Sequence, residues 1–393
     1  MTTTIRNFRP PMQYRRFGRT GFHMSCITLG GMRYSEGWGQ PRDQVPTVML
    51  DQCARMVDLA FKAGVNHVET AHGYGKSEHC YGQVLNDILK IPRDQYWLMT
   101  KGAPKTGEET RRLVDEQLRG LRTDHIDLYG WHGINTPDLL STALAKGGPV
   151  ETLLKLQDEG VIGHVGFSTH GRLELISRAI LTGVFSFVNL HYYYFFQRHR
   201  GAVDLAGTQD MGVFIISPND KGGQLFSPSA QLVADCAPLT PIQFNARWCL
   251  ASPRVHTLSF GMTEPAHVTE MLGSFPAPCP ADRRLLEVIH RLDGRIIDDP
   301  VSGWDGYEFQ DDPSGINVAE ILRFRRMLKC HGMETFGKYR YNMLEAKGHW
   351  FPGSYALPEL VAKVEADKAP PGVDVRALLG ETHAALYRPK TPK

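Results

Sequence analysis

Short apolar runs rich in β-branched residues recur along the chain, at Cys26–Leu29, Val65–Glu69, Gln95–Thr100, Ile126–Gly130, Ile162–Phe167, Ser186–His191, Val213–Ile216 and His256–Phe260. Most are separated by segments with helical periodicity. In Met49–Lys62 the apolar positions Met49, Cys53, Met56, Val57 and Ala60 fall on one helical face. In Glu108–Leu121, Leu113, Leu118 and Leu121 do the same among charges. Strands that alternate with helices predict βαβ units and a parallel sheet. Eight such units lie between Cys26 and Leu272, a span close to the ~250 residues of a (β/α)8 barrel. A doubly wound sheet is the rival. Its GxGxxG loop is missing, because the first strand runs into Leu29-Gly30-Gly31-Met32. The pattern therefore predicts an α/β fold, a (β/α)8 TIM barrel.

Two further segments flank the alternation. Gln13–Ile27 carries Gly18-Arg19-Thr20-Gly21 between short alternating stretches, which predicts a β-hairpin across the barrel floor. We expect the barrel over residues 13–272. Residues 273–393 open on Ser274-Phe275-Pro276-Ala277-Pro278-Cys279-Pro280, which reads as a linker. Helical patterns follow at Asp282–Leu292, Val318–Leu328 and Glu334–Leu344, which predicts a helical C-terminal extension packed on the barrel.

Composition narrows the class. A hydrophobic share of 42% with 22% charged residues fits a folded protein, not a disordered one. The net charge of +2 argues against a strongly basic nucleic-acid binder. No apolar run approaches the ~20 residues of a membrane helix, and MTTTIRNFRPP has no apolar core of a secretory signal. The 7 cysteines are scattered and form no CxxC pair, so we expect no disulfide framework, no metal centre and a reducing cytoplasm.

Reactive side chains of a (β/α)8 barrel come from the C-terminal ends of its strands. The second strand ends in Glu69-Thr70-Ala71-His72-Gly73-Tyr74-Gly75, the third in Thr100-Lys101-Gly102 and the fourth in Tyr129-Gly130-Trp131-His132. Glu69, Tyr74, Lys101 and His132 would line one mouth. Together they suit proton transfer at a carbonyl. A tyrosine hydroxyl with a pKa of ~10 is a weak acid, and a lysine ammonium beside it lowers that value. A carboxylate holds the lysine, and a histidine orients the substrate oxygen.

Here the sequence resembles a known family. Glu69-Thr70-Ala71-x-x-Tyr74-Gly75-x-Ser77-Glu78 is similar to the Asp-Thr-Ala-x-x-Tyr-Gly-x-Ser-Glu signature of the aldo-keto reductases. Lys101 and His132 look like the rest of their tetrad. The resemblance implies an NAD(P)-dependent oxidoreductase that reduces an aldehyde, ketone or sugar-like carbonyl to an alcohol, or the reverse. Tyr74 would be its general acid and base. It also implies an extended NADP(H) or NAD(H) bound across the mouth. Ser168 would hold the carboxamide, Asn189 stands where the family has Gln or Asn, and Gly31, Met32 and Thr169 would also bind the cofactor. Ser217 and Pro218 match the family's Ser-Pro after the seventh strand and would bind the cofactor, and the run from Asn219 through Lys221 to Gly223 would give backbone N–H groups and one cation to the pyrophosphate. Gly261, Met262, Thr263, His267 and Glu270 would meet the adenosine half.

The match has departures. Glu69 replaces an Asp, and Ile216 stands where many members carry an aromatic residue. Gly261 and His267 stand where NADP-specific members carry Lys and Arg, and Met271 replaces an Asn. Ser314-Gly315-Ile316-Asn317 and Tyr339-Arg340-Tyr341-Asn342 resemble the tail of members with a ferredoxin-like cluster domain. Only Cys279 and Cys330 lie in that tail, too few for a four-iron cluster.

Other patterns in the chain resemble known sites. His67, Glu69 and His72 lack the HExxH pattern of a zinc site. Gly73-Tyr74-Gly75-Lys76-Ser77 lacks the first glycine of a P-loop. Tyr192–Phe196 either walls the pocket or packs as core. His349-Trp350-Phe351-Pro352-Gly353 either folds over the mouth or anchors the tail. Arg33, Tyr34, Trp38 and Trp131 suggest an aromatic pocket with some polarity. Two functional rivals remain, a nucleotide-binding redox sensor and an inactive partner-binding barrel. The first predicts binding without turnover, the second predicts no binding.

Overall fold

The computed structural model describes residues 4–34, 41–219, 224–277, 282–299, 301, 312–342 and 356–388. A two-stranded antiparallel sheet comes first, β1 (Tyr14–Arg16) and β2 (His23–Ser25). Eight parallel strands then close into a barrel: β3 (Ile27–Gly30), β4 (His67–Glu69), β5 (Trp97–Gly102), β6 (Ile126–His132), β7 (Ile162–Ser168), β8 (Phe187–Leu190), β9 (Gly212–Ile215) and β10 (Thr257–Phe260). Each pairs with its neighbour in sequence order, and β10 pairs with both β9 and β3. All eight expected strands are present, with ends shifted by one or two residues. The shift that matters is in β5, which runs on to Gly102 and so carries Lys101 inside the sheet.

Helices cover the strands: α1 (Thr47–Lys62), α2 (Ser77–Gln83), α3 (Gly107–Leu121), α4 (Pro137–Ala143), α5 (Pro149–Asp158), α6 (Leu173–Leu181), α7 (Arg200–Thr208), α8 (Ala230–Cys236), α9 (Pro241–Ala251) and α10 (Pro265–Leu272). Their boundaries follow local chemistry. The Thr106 hydroxyl accepts from the Glu109 N–H at the start of α3, and Thr136 caps α4 in the same way through Leu139. In α1 the residues buried are Met49, Cys53, Met56, Val57, Ala60 and Phe61, the face that the periodicity marks.

The hairpin closes the N-terminal end of the barrel. Phe17 and Met24 join Met99, Leu128, Phe187 and Phe214 in one buried apolar cluster. Phe22 stacks on Trp97 at the start of β5, with ring centroids 3.7 Å apart. The Arg19 N–H donates to the Asp210 carbonyl just before β9, at 2.5 Å.

The chain divides into two compact units, residues 1–218 with 245–280, and residues 219–244 with 281–393. The 13–272 range expected for the barrel takes in residues 219–244, which cluster instead with the C-terminal helices. The second unit holds α8 together with α11 (Arg283–Ile297), α12 (Val318–His331), α13 (Glu334–Tyr341), α14 (Pro358–Val361) and α15 (Val375–Leu386). Asn317 caps α12 through the Glu320 N–H, and Glu320 pairs with Arg323 away from solvent. Asn342 donates to the Leu386 carbonyl at 2.9 Å, so this part of the tail motif ties α13 to α15. Cys330 is buried and unbridged. Cys279, Trp38 and residues 349–353 lie outside the described residues.

No helix among the described residues is long and apolar enough to cross a membrane. No group of three His, Cys, Asp or Glu among them could hold a metal ion.

Candidate active site

Four side chains meet at the C-terminal end of β4, β5 and β6. Glu69 is the last residue of β4, Lys101 the last but one of β5 and His132 the last of β6. Tyr74 stands on the loop after β4, in a turn where its N–H donates to the Ala71 carbonyl at 2.9 Å. Lys101 is 1% exposed and Glu69 2% exposed. The Lys101 ammonium makes an ion pair with Glu69 Oε1 and donates to the Thr70 carbonyl at 2.7 Å. It also lies 4.9 Å from the centre of the Tyr74 ring. The His132 ring meets the Tyr74 ring edge-on, at 5.8 Å and 88°.

The second carboxylate oxygen of Glu69 faces β10. Glu69 Oε2 is 3.5 Å from the Ser259 hydroxyl of β10. A Cβ at Gly30 would fall 2.6 Å from that hydroxyl and 3.6 Å from Glu69 Oε2. Gly30 thus leaves room for the Ser259 hydroxyl that faces Glu69 Oε2.

A second layer holds Lys101 by its backbone. The His72 N–H donates to the Lys101 carbonyl at 2.8 Å, and Gln117 Nε2 donates to the same oxygen at 3.2 Å. Gln117 also donates to Glu78 Oε1 at 2.6 Å and accepts from the Tyr129 hydroxyl at 2.8 Å. The Thr100 hydroxyl donates to Glu78 Oε1 at 2.5 Å. Buried polar groups that are all paired in this way fix one geometry. Sequence reasoning missed Gln117 and Thr100. The signal was there: Gln117 is a polar residue on the face of α3 that also buries Val114 and Leu121.

Burial sets the proton affinities. It pushes the Tyr74 hydroxyl up from its ordinary value and the Lys101 amine well down. Desolvation alone sets the direction at Tyr74, in place of the lowering expected from Lys101. His67, beneath the pair on the same face of β4, is held at about 3 by burial first and by Lys101 second. Its Nδ1 bonds to the Thr28 hydroxyl at 2.7 Å, which makes it a neutral core histidine.

The residues expected at a nucleotide divide into groups. Ser168 and Asn189 are register partners on β7 and β8. Ser168 Oγ accepts from the Gly133 N–H at 3.1 Å, and Thr169 is fully buried, its hydroxyl donating to the Ile134 carbonyl at 2.6 Å. Asn189 is also fully buried, and its Oδ1 has no hydrogen-bond partner. A buried carbonyl oxygen without a donor fits the amide N–H of a nicotinamide carboxamide. Ser217 holds φ at 56°, a left-handed conformation that a serine seldom adopts, and the Pro218 carbonyl accepts from Asn245. Asn219 belongs to the second unit, and Lys221 and Gly223 lie outside the described residues.

Gly31 is enclosed by Ser77, Tyr81 and the Glu69 carbonyl, while Met32 is exposed. Gly261, Thr263, His267 and Glu270 are half-buried around the loop after β10. Met262 is fully buried and offers only its backbone there. Tyr34 and Trp131 do not line a pocket. Both are buried, Tyr34 edge-on against Tyr81 and Trp131 with its N–H on the Pro104 carbonyl. Tyr192–Phe196 is likewise core, with Tyr192 and Tyr194 set against Trp248.

Comparison with known proteins bears on the family and the fold. The model of the aldo/keto reductase family matches residues 26–223. D-arabinose 1-dehydrogenase of Saccharomyces cerevisiae is 28% identical over 156 residues, 37% of this chain and 43% of its own. 6-dehydroglucose reductase of Novosphingobium aromaticivorans is 29% identical over 146 residues, 33% of this chain and 44% of its own. The chain thus spans less than half the length of these relatives. Among solved structures, the holo form of aldo-keto reductase AKR11C1 from Bacillus halodurans has a TM-score of 0.60 at 20% identity, over 71% of this chain and 96% of its own. That likeness shows the barrel fold. With a family model that covers just over half of its length and a barrel to match, the chain belongs to the aldo/keto reductase family.

Proposed function

We propose that the protein is an NAD(P)-dependent oxidoreductase that interconverts a carbonyl and an alcohol at the mouth of its barrel. The observation that carries this reading is Lys101, buried between the carboxylate of Glu69 and the face of Tyr74, with His132 at the edge of the same ring. A bound nicotinamide supplies or accepts the hydride. Ser168 and the unpaired Oδ1 of Asn189 are the groups to hold its carboxamide.

In reduction, the Tyr74 hydroxyl gives its proton to the carbonyl oxygen as negative charge builds there. His132 hydrogen-bonds that oxygen and aims it at the hydroxyl. Lys101 stabilises the phenolate that Tyr74 leaves behind. Glu69 holds Lys101 and balances its charge before the reaction. In oxidation the same Tyr74 oxygen takes the proton back. Since burial lifts its pKa, Tyr74 keeps its proton at neutral pH and is poised as an acid.

The names of the relatives bring sugars forward as the first substrates to try. The test is a fluorescence titration with NADPH and NADH, followed by turnover of aldoses, ketoses and simple aldehydes. Tyr74→Phe should bind nucleotide as the wild type does and lose turnover. Undiminished kcat in Tyr74→Phe would sink the mechanism. Nucleotide binding without turnover of any carbonyl favours a redox sensor, and no binding favours an inactive barrel.

A further inference from the structure

Tyr74 belongs to no strand or helix. It stands on the segment between β4 and α2, and its own turn is held by two backbone bonds. The Tyr74 N–H donates to the Ala71 carbonyl at 2.9 Å, and the Ser77 N–H donates to the Tyr74 carbonyl at 3.1 Å. A second loop, the one before α1, grips this segment on both sides of the tyrosine. Arg42, 30 residues before His72, donates from Nη1 to His72 Nδ1 at 2.5 Å and from Nη2 to the His72 carbonyl. An arginine can only donate, so His72 Nδ1 is the acceptor and carries no proton there. On the far side the Lys76 ammonium, almost fully buried, donates to the Pro41 carbonyl. Adjacent residues of one loop thus bracket Tyr74, which lies two positions from each gripped residue.

Charge fixes Arg42 in its turn. Glu78 is buried, and its Oε1 accepts from the Thr100 hydroxyl and from Gln117. Its Oε2 lies 3.9 Å from Arg42 Nη1 and 3.8 Å from His72 Nδ1. A carboxylate out of water needs a compensating charge, and Arg42 faces it. The third polar group of His72 is engaged as well, since its N–H donates to the Lys101 carbonyl at 2.8 Å. His72 is therefore tied to the strand that carries Lys101 and to the loop that carries Arg42.

We propose that Arg42 is a positioning residue for Tyr74. Its guanidinium fork locks His72 and, with the Lys76–Pro41 bond, holds the segment between them so that Tyr74 stays in place beside Lys101 and His132. Its effect on turnover rests on the activity proposed above. The fork is essential to the argument. A lysine at this position keeps a charge beside Glu78 but cannot serve the ring and the carbonyl of His72 from two fixed directions.

The test uses intact protein and three variants, Arg42→Gln, Arg42→Lys and the double Arg42→Gln/Glu78→Gln. The double variant leaves no buried charge alone, and so supplies a folded sample if the first does not. Hydrogen exchange of peptides spanning residues 70–77, read by mass spectrometry, reports on the segment without turnover. Exchange there should quicken by ~10-fold or more in every variant, while peptides of α6 keep the wild-type rate. With glyceraldehyde and each nicotinamide nucleotide, kcat should fall by roughly 10- to 100-fold, the scale of a reacting group misplaced by ~1 Å. KM and nucleotide Kd should stay within about twofold of the wild type, as for a change felt mainly in the transition state. Arg42→Lys should regain the urea midpoint of the wild type and not its kcat. Unchanged exchange at 70–77 overturns the bracket. Faster exchange with wild-type kcat, or full recovery of kcat in Arg42→Lys, makes Arg42 a structural ion pair and overturns the positioning role. A folded wild type that turns over no aldose, ketose or simple aldehyde overturns the enzyme reading instead, and the exchange result still decides the bracket.

Discussion

Removing one charge from the Glu69–Lys101 pair gives the most direct test of how the site is built. Both side chains are almost fully buried, so neither charge can turn to water. Breaking such a pair on one side costs about 3–5 kcal/mol, since the remaining charge keeps its desolvation penalty. Glu69→Gln and Lys101→Met should each lose that much. The double variant leaves no uncompensated charge, only the Thr70 carbonyl without its donor, worth about 1–3 kcal/mol. The cycle should therefore show a coupling of about 3 kcal/mol or more between the two sites. The pH dependence has a definite sign. In Glu69→Gln the amine of Lys101 is buried without a carboxylate, so its folded pKa falls further below the unfolded value of ~10.4. Between those two values the unfolded chain binds more protons. Stability of this variant then rises with pH, by up to about 1.4 kcal/mol per unit. Urea unfolding followed by tryptophan fluorescence from about pH 6 to about pH 9 measures both effects, provided m is unchanged. Single variants that each lose less than about 1 kcal/mol and add without coupling would refute the picture of a desolvated pair.

Three further outcomes follow from the geometry. Tyr74→Phe should lower kcat by roughly 10²- to 10⁴-fold. In the wild type the reductive rate should stay level through neutral pH and fall only at strongly alkaline pH, while the oxidative rate climbs with pH; profiles level in both directions would contradict a raised Tyr74 pKa. Gly31→Ala places a Cβ 2.4 Å from Ser77 Oγ, 2.6 Å from Tyr81 Cε2 and 2.9 Å from the Glu69 carbonyl. Overpacking of this kind costs about 1–3 kcal/mol, read as a lower urea midpoint. His67 and His199 are both held at about 3, burial being the main cause. Unfolding frees them to bind protons below their ordinary value of ~6.5, so stability should drop as pH falls from there toward about 3. At about pH 5 these two residues alone set a slope of roughly 2.7 kcal/mol per pH unit, which denaturation at stepped pH would reveal.

The barrel was legible because alternation of strand and helix is a local property. Each of the eight runs carries enough β-branched and apolar side chains to announce itself, and the ends of β4, β5 and β6 then point to Glu69, Tyr74, Lys101 and His132. What was not legible depends on which loops become neighbours. The meeting of Arg33 with Gly261 joins two segments more than 200 residues apart, and no periodicity encodes it. The same holds for Gln117 under Lys101 and for Ser259 beside Glu69. Tyr34 and Trp131 misled for a related reason. Aromatic residues near a motif look like a pocket wall, but their burial is decided by the helices that close over them. The helices α11, α12 and α13 follow their apolar spacing. That residues 219–244 join them is a discontinuity that a reading along the chain does not expose.

The hairpin that plugs the floor separates two kinds of selection. Phe17, Phe22 and Met24 pack at the end of the barrel remote from Lys101 and Tyr74. Heat tolerance can be gained or lost there while the choice of substrate drifts in the loops above. A breeder of this protein would thus have two separate dials, one for durability at the base and one for taste at the rim. Met99 of β5 is where the two meet, packed with Phe17 and Met24 and touched by the Asn189 amide.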